Sequence, residues 1–342
     1  MTLGTEQNDY EYDYYNYTSF YICAKQSIKT FGKVFLPVLY TLVFVLGLLG
    51  NVLLFILLIK YIKHKSMTEI YLMNMCVSDL LFVLTLPFWS VYAASEWMFG
   101  NILCKLISTF YAVNFFSGIF FINCMSLDMY LVIVHAWSRR NQRTRSKGFL
   151  VTSIMWIIAL LFSVPDMIFS RVMHHNGRQT CDHDYGELNF IWKLILKFQL
   201  NVLGFLLPFL CMVFFYCRIS VSLIAFKADD KERALKLIVI PVTVFFVLWF
   251  PYNVVVFLHS LQDLHVISDC DTSKHLDFAM QVTEGLAFLH CCLNPFLYAF
   301  VNKRFKRYLN KIAGAISSKN NMFVLQTSQT TKSSTKNADM EM

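Results

Sequence analysis

The sequence predicts an all-α membrane protein, a bundle of seven membrane-spanning helices, and three observations lead there. Of its 342 residues, 56% are hydrophobic and only 15% are charged, well below the quarter or so that a soluble domain carries. Long runs of the chain hold no charge at all. The Lys and Arg residues collect in the connections on one side of those runs, the pattern that orients a membrane protein.

Residues 1–33 form an outer segment that is acidic and rich in tyrosine. Tyr10, Tyr12, Tyr14, Tyr15 and Tyr17 lie among Glu6, Asp9, Glu11 and Asp13. With no apolar stretch there, no cleavable signal is expected, and the first span serves as its own insertion signal. Residues 34–302 hold the seven spans. Val34–Ile59, Leu106–Leu127, Phe149–Pro165, Phe198–Cys217 and Leu237–Leu258 are free of charge, while Ile70–Ser95 and Phe278–Asn302 each carry one acid, Asp79 and Glu284. About 20 apolar residues cross a bilayer as a helix, and Phe149–Pro165 reaches that length through Met167–Phe169. Backbone inside hydrocarbon must satisfy its own hydrogen bonds, so each run is a helix. Pro87, Pro165, Pro208, Pro241, Pro251 and Pro295 fall in or at the ends of these runs, where neighbouring helices tolerate them. Residues 303–342 form a cytoplasmic tail. Lys303–Leu309 reads as a short amphipathic eighth helix on the inner leaflet, with Phe305 and Leu309 on its apolar side.

With the N-terminus outside, 21 of the 30 basic residues fall in cytoplasmic segments. The net charge of +8 is therefore an orientation signal toward membrane lipid, and no nucleic-acid partner is expected. The sequon Asn16-Tyr17-Thr18 lies in the outer segment, which makes Asn16 a glycosylation candidate. Cys23, Cys104, Cys181 and Cys270 also fall outside, where disulfides persist, and four cysteines allow three pairings. The nine histidines are scattered; His174, His175 and His183 share one outer loop without a zinc pattern. No catalytic constellation is present, and neither an enzyme nor a metal-ligating set is expected. A retinal protein would need a Lys in the seventh span, and Phe278–Asn302 has none.

The spans carry short motifs in a fixed order: Gly50-Asn51 in the first, Asp79 in the second, Pro208 and Tyr216 in the fifth, Trp249-Phe250-Pro251 in the sixth, and Asn294-Pro295-Phe296-Leu297-Tyr298 in the seventh. Together they resemble the rhodopsin-like G-protein-coupled receptors. Thr85-Leu86-Pro87-Phe88-Trp89, Trp97 with Phe99-Gly100 and Cys104, and His290-Cys291-Cys292-Leu293-Asn294-Pro295 narrow the resemblance to chemokine receptors, over roughly Tyr21 to Tyr308. At the foot of the third span the signalling members read Asp-Arg-Tyr. This chain reads Asp128-Met129-Tyr130. With Ser117-Gly118-Ile119-Phe120-Phe121 and Gln281-Val282-Thr283-Glu284, it looks most like the atypical branch, which scavenges inflammatory CC chemokines.

That resemblance carries expectations. It implies the disulfides Cys104–Cys181 and Cys23–Cys270. It implies a ligand cavity walled by Trp89 and Tyr111, with Glu284 meeting the basic end of a chemokine; an intramembrane acid is costly and by default functional, and an aromatic wall suits a cation. Chemokines are basic, so the tyrosine-rich acidic segment, with Tyr12, Tyr14 and Tyr15 as contact candidates, would steer them in. Asp79, with Asn114, His290 and Asn294, would hold a sodium ion; no other cofactor is implied. Trp249, Tyr216 and Tyr298 would form the conformational switch. An Arg at the foot of span three meets the G protein in signalling members, and Met129 offers none of its five donors, so G-protein coupling is expected to be weak or absent. Thr327, Ser328, Thr330, Thr331, Ser333, Ser334 and Thr335 cluster in the tail; receptor kinases would turn them acidic for β-arrestin. The implied life is that of a multi-pass plasma-membrane protein cycling through early and recycling endosomes, with endocytosis of chemokines and a part in chemotaxis and the immune response. A conventional signalling CC chemokine receptor shares every feature except the motif.

Overall fold

The computed structural model describes residues 26–61, 66–135, 145–175, 177–222 and 228–301 with the isolated positions 310 and 314, and among these described residues nine α-helices and one hairpin form the bundle. The first pass is α1 (Gln26–Tyr61). The second is split into α2 (Met67–Val83) and α3 (Leu86–Ala94). The third and fourth passes are α4 (Gly100–Val134) and α5 (Arg145–Phe169). Strands β1 (Ser170–His175) and β2 (Arg178–His183) pair antiparallel, with Val172 opposite Cys181. The fifth pass joins α6 (Asn189–Asn201), a π-helical turn over Val202–Leu206, and α7 (Leu207–Ser222). The sixth and seventh are α8 (Ala228–Asp263) and α9 (Cys270–Val301).

Six of these passes are apolar enough to cross a membrane by composition alone. The seventh, α9, is 32 residues long but carries His275, Asp277, Gln281, Thr283, Glu284, His290 and Asn294. Its polarity has an inward destination: His290 is buried, and Asn294 and Glu284 meet partners inside the bundle. The lipid-facing side is apolar in the usual sense, with Val34, Val38, Leu49, Leu161 and Val247 exposed. Helix α1 packs on α2, α3 and α9, and α4 packs on α2, α5 and α7. The third pass therefore runs through the interior, and Asn114, Phe115, Phe116, Ser117 and Ile119 on it are all buried.

Three local devices shape the ligand end. Thr85 Oγ1 donates to Phe82 O at 2.7 Å, and Pro87 opens α3; a proline cannot continue the ladder of the helix before it, so the second pass bends and turns Trp89 toward the interior. In the fifth pass Leu207 N donates to Val202 O, five residues back. Pro208 follows and has no N–H to give, and the wide turn absorbs the mismatch. The β hairpin is tied over the bundle by the disulfide Cys104–Cys181. Further ties are Gln179 N to Glu96 Oε2 at 3.0 Å and Val172 N to Asn101 Oδ1 at 3.1 Å. Trp97, fully buried, donates its Nε1 to Gly100 O at 2.9 Å. Gly100 sits at φ 78°, a left-handed conformation that glycine adopts freely. At the inner end Ser66 and Glu69 form a reciprocal capping box that starts α2. The eighth helix expected over Lys303–Leu309 lies outside the described residues.

Candidate functional site

The outer half of the bundle encloses a cavity of two lobes. The smaller holds about 340 Å³, between α1, α3, α4 and α9 under the hairpin; Tyr40, Trp89, Tyr92, Tyr111, Glu284 and Phe288 line it. The larger holds about 520 Å³, between α4, α6 and α8; Phe115, Lys193, Lys197, Leu200, Tyr252 and Met280 line it. Tyr111, Asp166, Asp182 and His183 border both. Volumes in this range suit a drug-sized ligand or a few residues of a peptide.

Hydroxyls and acids organise the partition. Tyr111 and Tyr252 meet through their hydroxyls at 3.1 Å, and the Tyr111 hydroxyl also interacts with the Glu284 carboxyl. At the rim His183 Nε2 stands 3.1 Å from Asp166 Oδ1, and its ring stacks on Tyr185 at 5.6 Å and 11°. Burial, with Asp166 and Asp182 near, pushes the Tyr185 phenol well above its ordinary range, so it stays a neutral O–H donor. On the far wall Lys193 Nζ and Lys197 Nζ meet Asp263 at 2.7 and 2.5 Å.

Below the cavity Trp249 forms the floor, with Phe115 at 4.8 Å, His290 at 5.2 Å and Tyr252 at 5.7 Å between ring centroids. Asp79 lies beneath it, fully buried. Its two oxygens accept from Asn114 Nδ2 at 3.0 Å and Asn294 Nδ2 at 2.9 Å, and His290 Nε2 stands 3.9 Å from Oδ1. Ser78 and Ser117 share a hydrogen bond of 2.6 Å, and Asn114 Nδ2 reaches Ser78 Oγ at 3.2 Å. Ligand atoms of Asp79, His290 and Cys291 fall within 4.8 Å of one another. The carboxylate and the serine and asparagine oxygens suit a small hard cation, while the imidazole and thiol are softer donors that such an ion does not require. Trp249 Nε1 finds no acceptor among the described residues, which fits a hydrated ion whose water could accept from it. Asn51 links the first pass to the seventh by donating to Cys291 O at 2.8 Å.

At the inner end Asp128 Oδ2 accepts from Thr68 Oγ1 at 2.8 Å. Met129 beside it is half-buried. Tyr130 meets His135 Nε2 at 3.1 Å and lies 5.2 Å from the Phe215 ring. The Tyr216 hydroxyl bonds Ser126 Oγ at 2.7 Å.

The sequence-predicted residues thus fall into three layers. Trp89, Tyr111 and Glu284 line one lobe; Asp79, Asn114, Trp249, His290 and Asn294 form a connected core; Asp128, Met129, Tyr130 and Tyr216 sit at the inner end. Cys104–Cys181 is present. Cys270 is disulfide-bonded, and its expected partner Cys23 lies outside the described residues, as do Tyr12, Tyr14, Tyr15, Asn16 and Thr327 through Thr335. Only the side chain of Tyr298 lies outside them. Sequence reading missed Asp166, His183, Tyr185, Lys193, Lys197 and Tyr252. The available signal was weak: charged residues at the outer ends of spans, where snorkelling is an equally good account.

The profile of the seven-transmembrane receptors of the rhodopsin family matches residues 50–298. The chain is 49% identical over 311 residues to "Atypical chemokine receptor 2" of Mus musculus, covering 90% of this chain and 82% of that receptor. The chain belongs to the chemokine receptors of the rhodopsin family. It is also 44% identical over 287 residues to "C-C chemokine receptor type 4" of Homo sapiens, covering 84% of this chain and 80% of that one. A multi-pass receptor of the plasma membrane, whose family takes chemokines as ligands and is not enzymatic, accounts for the cavity open to the outer side and the apolar flanks.

Proposed function

We propose that this receptor binds basic CC chemokines, carries them inward and releases little or no G-protein signal. The observation that carries this is Met129. Asp79 is hydrogen-bonded to Asn114 and Asn294 beneath Trp249, and Asp128 and Tyr130 have polar partners, yet Met129 stands between them where signalling members carry a guanidinium. A thioether supplies no N–H donor to a carbonyl of an incoming helix. The likeness to the mouse relative, called an atypical chemokine receptor, at 49% identity supports the same reading.

In this account the acidic tyrosines at 10–17 steer the chemokine, Glu284 with Trp89 and Tyr111 receives its cationic end, and Asp79 with Asn114 and the Ser78–Ser117 pair holds a sodium ion that steadies the resting packing. Receptor kinases and β-arrestin act on Thr327–Thr335, and the receptor cycles through early and recycling endosomes. A conventional signalling receptor is the second reading, favoured by the retained Tyr216 and Asn294.

The test is a panel of labelled CC chemokines on cells expressing the receptor. Loss of ligand from the medium beside an unchanged cyclic AMP level supports capture. A pertussis-toxin-sensitive fall in cyclic AMP supports the second reading. Deletion of residues 1–20 is expected to slow chemokine association, most visibly at low salt.

A further inference from the structure

The two lobes of the cavity place their charges differently: Asp166, Asp182 and His183 border both, Glu284 lines the smaller alone, and Lys193 and Lys197 line the larger alone. Glu284 is the ionisable group of the smaller lobe's inner wall, with Tyr111 against its carboxyl. In the larger lobe two ammonium groups, Lys193 and Lys197, close on a single carboxylate, Asp263. One charge on that wall is left over and it is positive. Each ammonium has three donors and gives one to Asp263, which is the carboxylate that bonds them among the described residues. Across the same lobe, Asp166 is engaged by His183 at 3.1 Å and Asp182 by the His183 backbone N–H at 2.8 Å. Asp166 and Asp182 thus have hydrogen-bond partners at the rim, and the two lysines line the lobe together with Tyr252. The Tyr111–Tyr252 hydroxyl pair stands between the two poles.

We propose that Lys193 and Lys197 form a subsite for an acidic side chain of the ligand, so that the cavity selects a dipolar peptide end: a cationic group at Glu284 and an aspartate or glutamate a short distance along the chain at the two lysines. The inference rests on the chemokine reading and adds a selection rule to it. A single cation at Glu284 would be satisfied by any basic peptide. A second pole of opposite sign rejects peptides that place a positive or neutral side chain there, because the lysines then lose solvent without gaining an acceptor. Asp263 holds the two long side chains in place, which lowers the entropy they would otherwise lose on binding.

The test uses full-length receptor in membranes and a CC chemokine with an Asp or Glu within about eight residues of its amino terminus, a length that extended chain can carry down from the rim to the cavity. Its partner probe has that acid changed to the amide. The receptor variants are Lys193→Gln/Lys197→Gln, and the same pair with Asp263→Asn, which removes the cluster's charge without leaving the carboxylate bare. The amide ligand is expected to bind wild type about tenfold or more weakly than the acidic one, the worth of a charge-assisted hydrogen bond. The triple variant should bind the two ligands alike at normal surface expression, and the double variant, with Asp263 left bare, should bind the acidic ligand no better than the amide. Equal affinity of the two ligands for wild type overturns the inference and leaves the chemokine reading intact, as does a discrimination that survives in the triple variant. Failure of wild type to bind either chemokine overturns both.

Discussion

Gly204 lies in the π turn of the fifth pass, and an alanine there has a defined effect. Its Cβ would stand 2.3 Å from Cε1 and 2.6 Å from Cζ of Phe115. Carbon atoms rest near 3.5–4.0 Å, so the ring must retreat by about 1 Å or more. It has little room. Phe115 is buried, 4.8 Å from the Trp249 ring and 5.1 Å from Phe116. Overpacking of a filled core costs about 1–3 kcal/mol, which for a protein of this size lowers the melting temperature by several degrees, roughly 2–4 °C per kcal/mol. Because Phe115 also lines the larger lobe, chemokine affinity should fall together with stability. The assay is thermal unfolding of the solubilised receptor with parallel ligand binding. Phe115→Leu in the same chain should recover part of the loss, a coupling expected of touching residues. A Gly204→Ala receptor with unchanged melting temperature and affinity would refute the argument that this turn is close-packed on the cavity floor.

Further outcomes are expected at three positions. Glu284→Gln keeps the shape and removes the charge, so chemokine affinity should drop about tenfold or more at normal surface expression; equal affinity would show that the cationic end binds elsewhere. Asp79→Asn presents an amide N–H to one of the two asparagine donors that the carboxylate now accepts, a change costing about 1–3 kcal/mol, and it should abolish any sodium dependence of chemokine binding; persistence of that dependence would place the ion elsewhere. Asp269 caps α9, accepting Thr272 N and Oγ1 at 2.8 Å each. Those bonds, the backbone one first, hold its carboxyl below the usual carboxylate range. A depressed pKa stabilises the folded form at every pH above the unfolded value and fades as pH falls through the folded one. The first turn of α9 should therefore lose hydrogen-exchange protection only in acid below about pH 4, and Asp269→Ala should lose it at neutral pH as well.

The passes were legible because a bilayer allows one solution: a charge-free run of sufficient length is a helix. The motifs then ordered the interior, since Asp79, Trp249 and Asn294 are polar or bulky groups that hydrocarbon would not accept. Less legible were the features that depend on where two helices meet. Lys193 and Lys197 look like ordinary snorkelling cations until α8 brings Asp263 to them. The Ser170–His183 hairpin carries few strand signals beyond its turn at Gly177, and its place over the cavity follows from the Cys104–Cys181 link. The π turn was hidden because Pro208 forbids one hydrogen bond without saying how the helix would absorb the loss. Tyr252 reads as one more aromatic of an apolar span; only its hydroxyl against Tyr111 marks it as part of the partition.

The central proposal is that Met129 removes the contact to the G protein while the residues around Asp79 and Trp249 still switch, and one paired experiment reaches it most directly. G-protein activation is measured in membranes from cells expressing wild type and Met129→Arg at matched surface levels, each saturated with the same CC chemokine. The account predicts no ligand-dependent activation by wild type and a measurable gain in the arginine variant. Robust activation by wild type would contradict it, showing that Met129 does not silence the receptor.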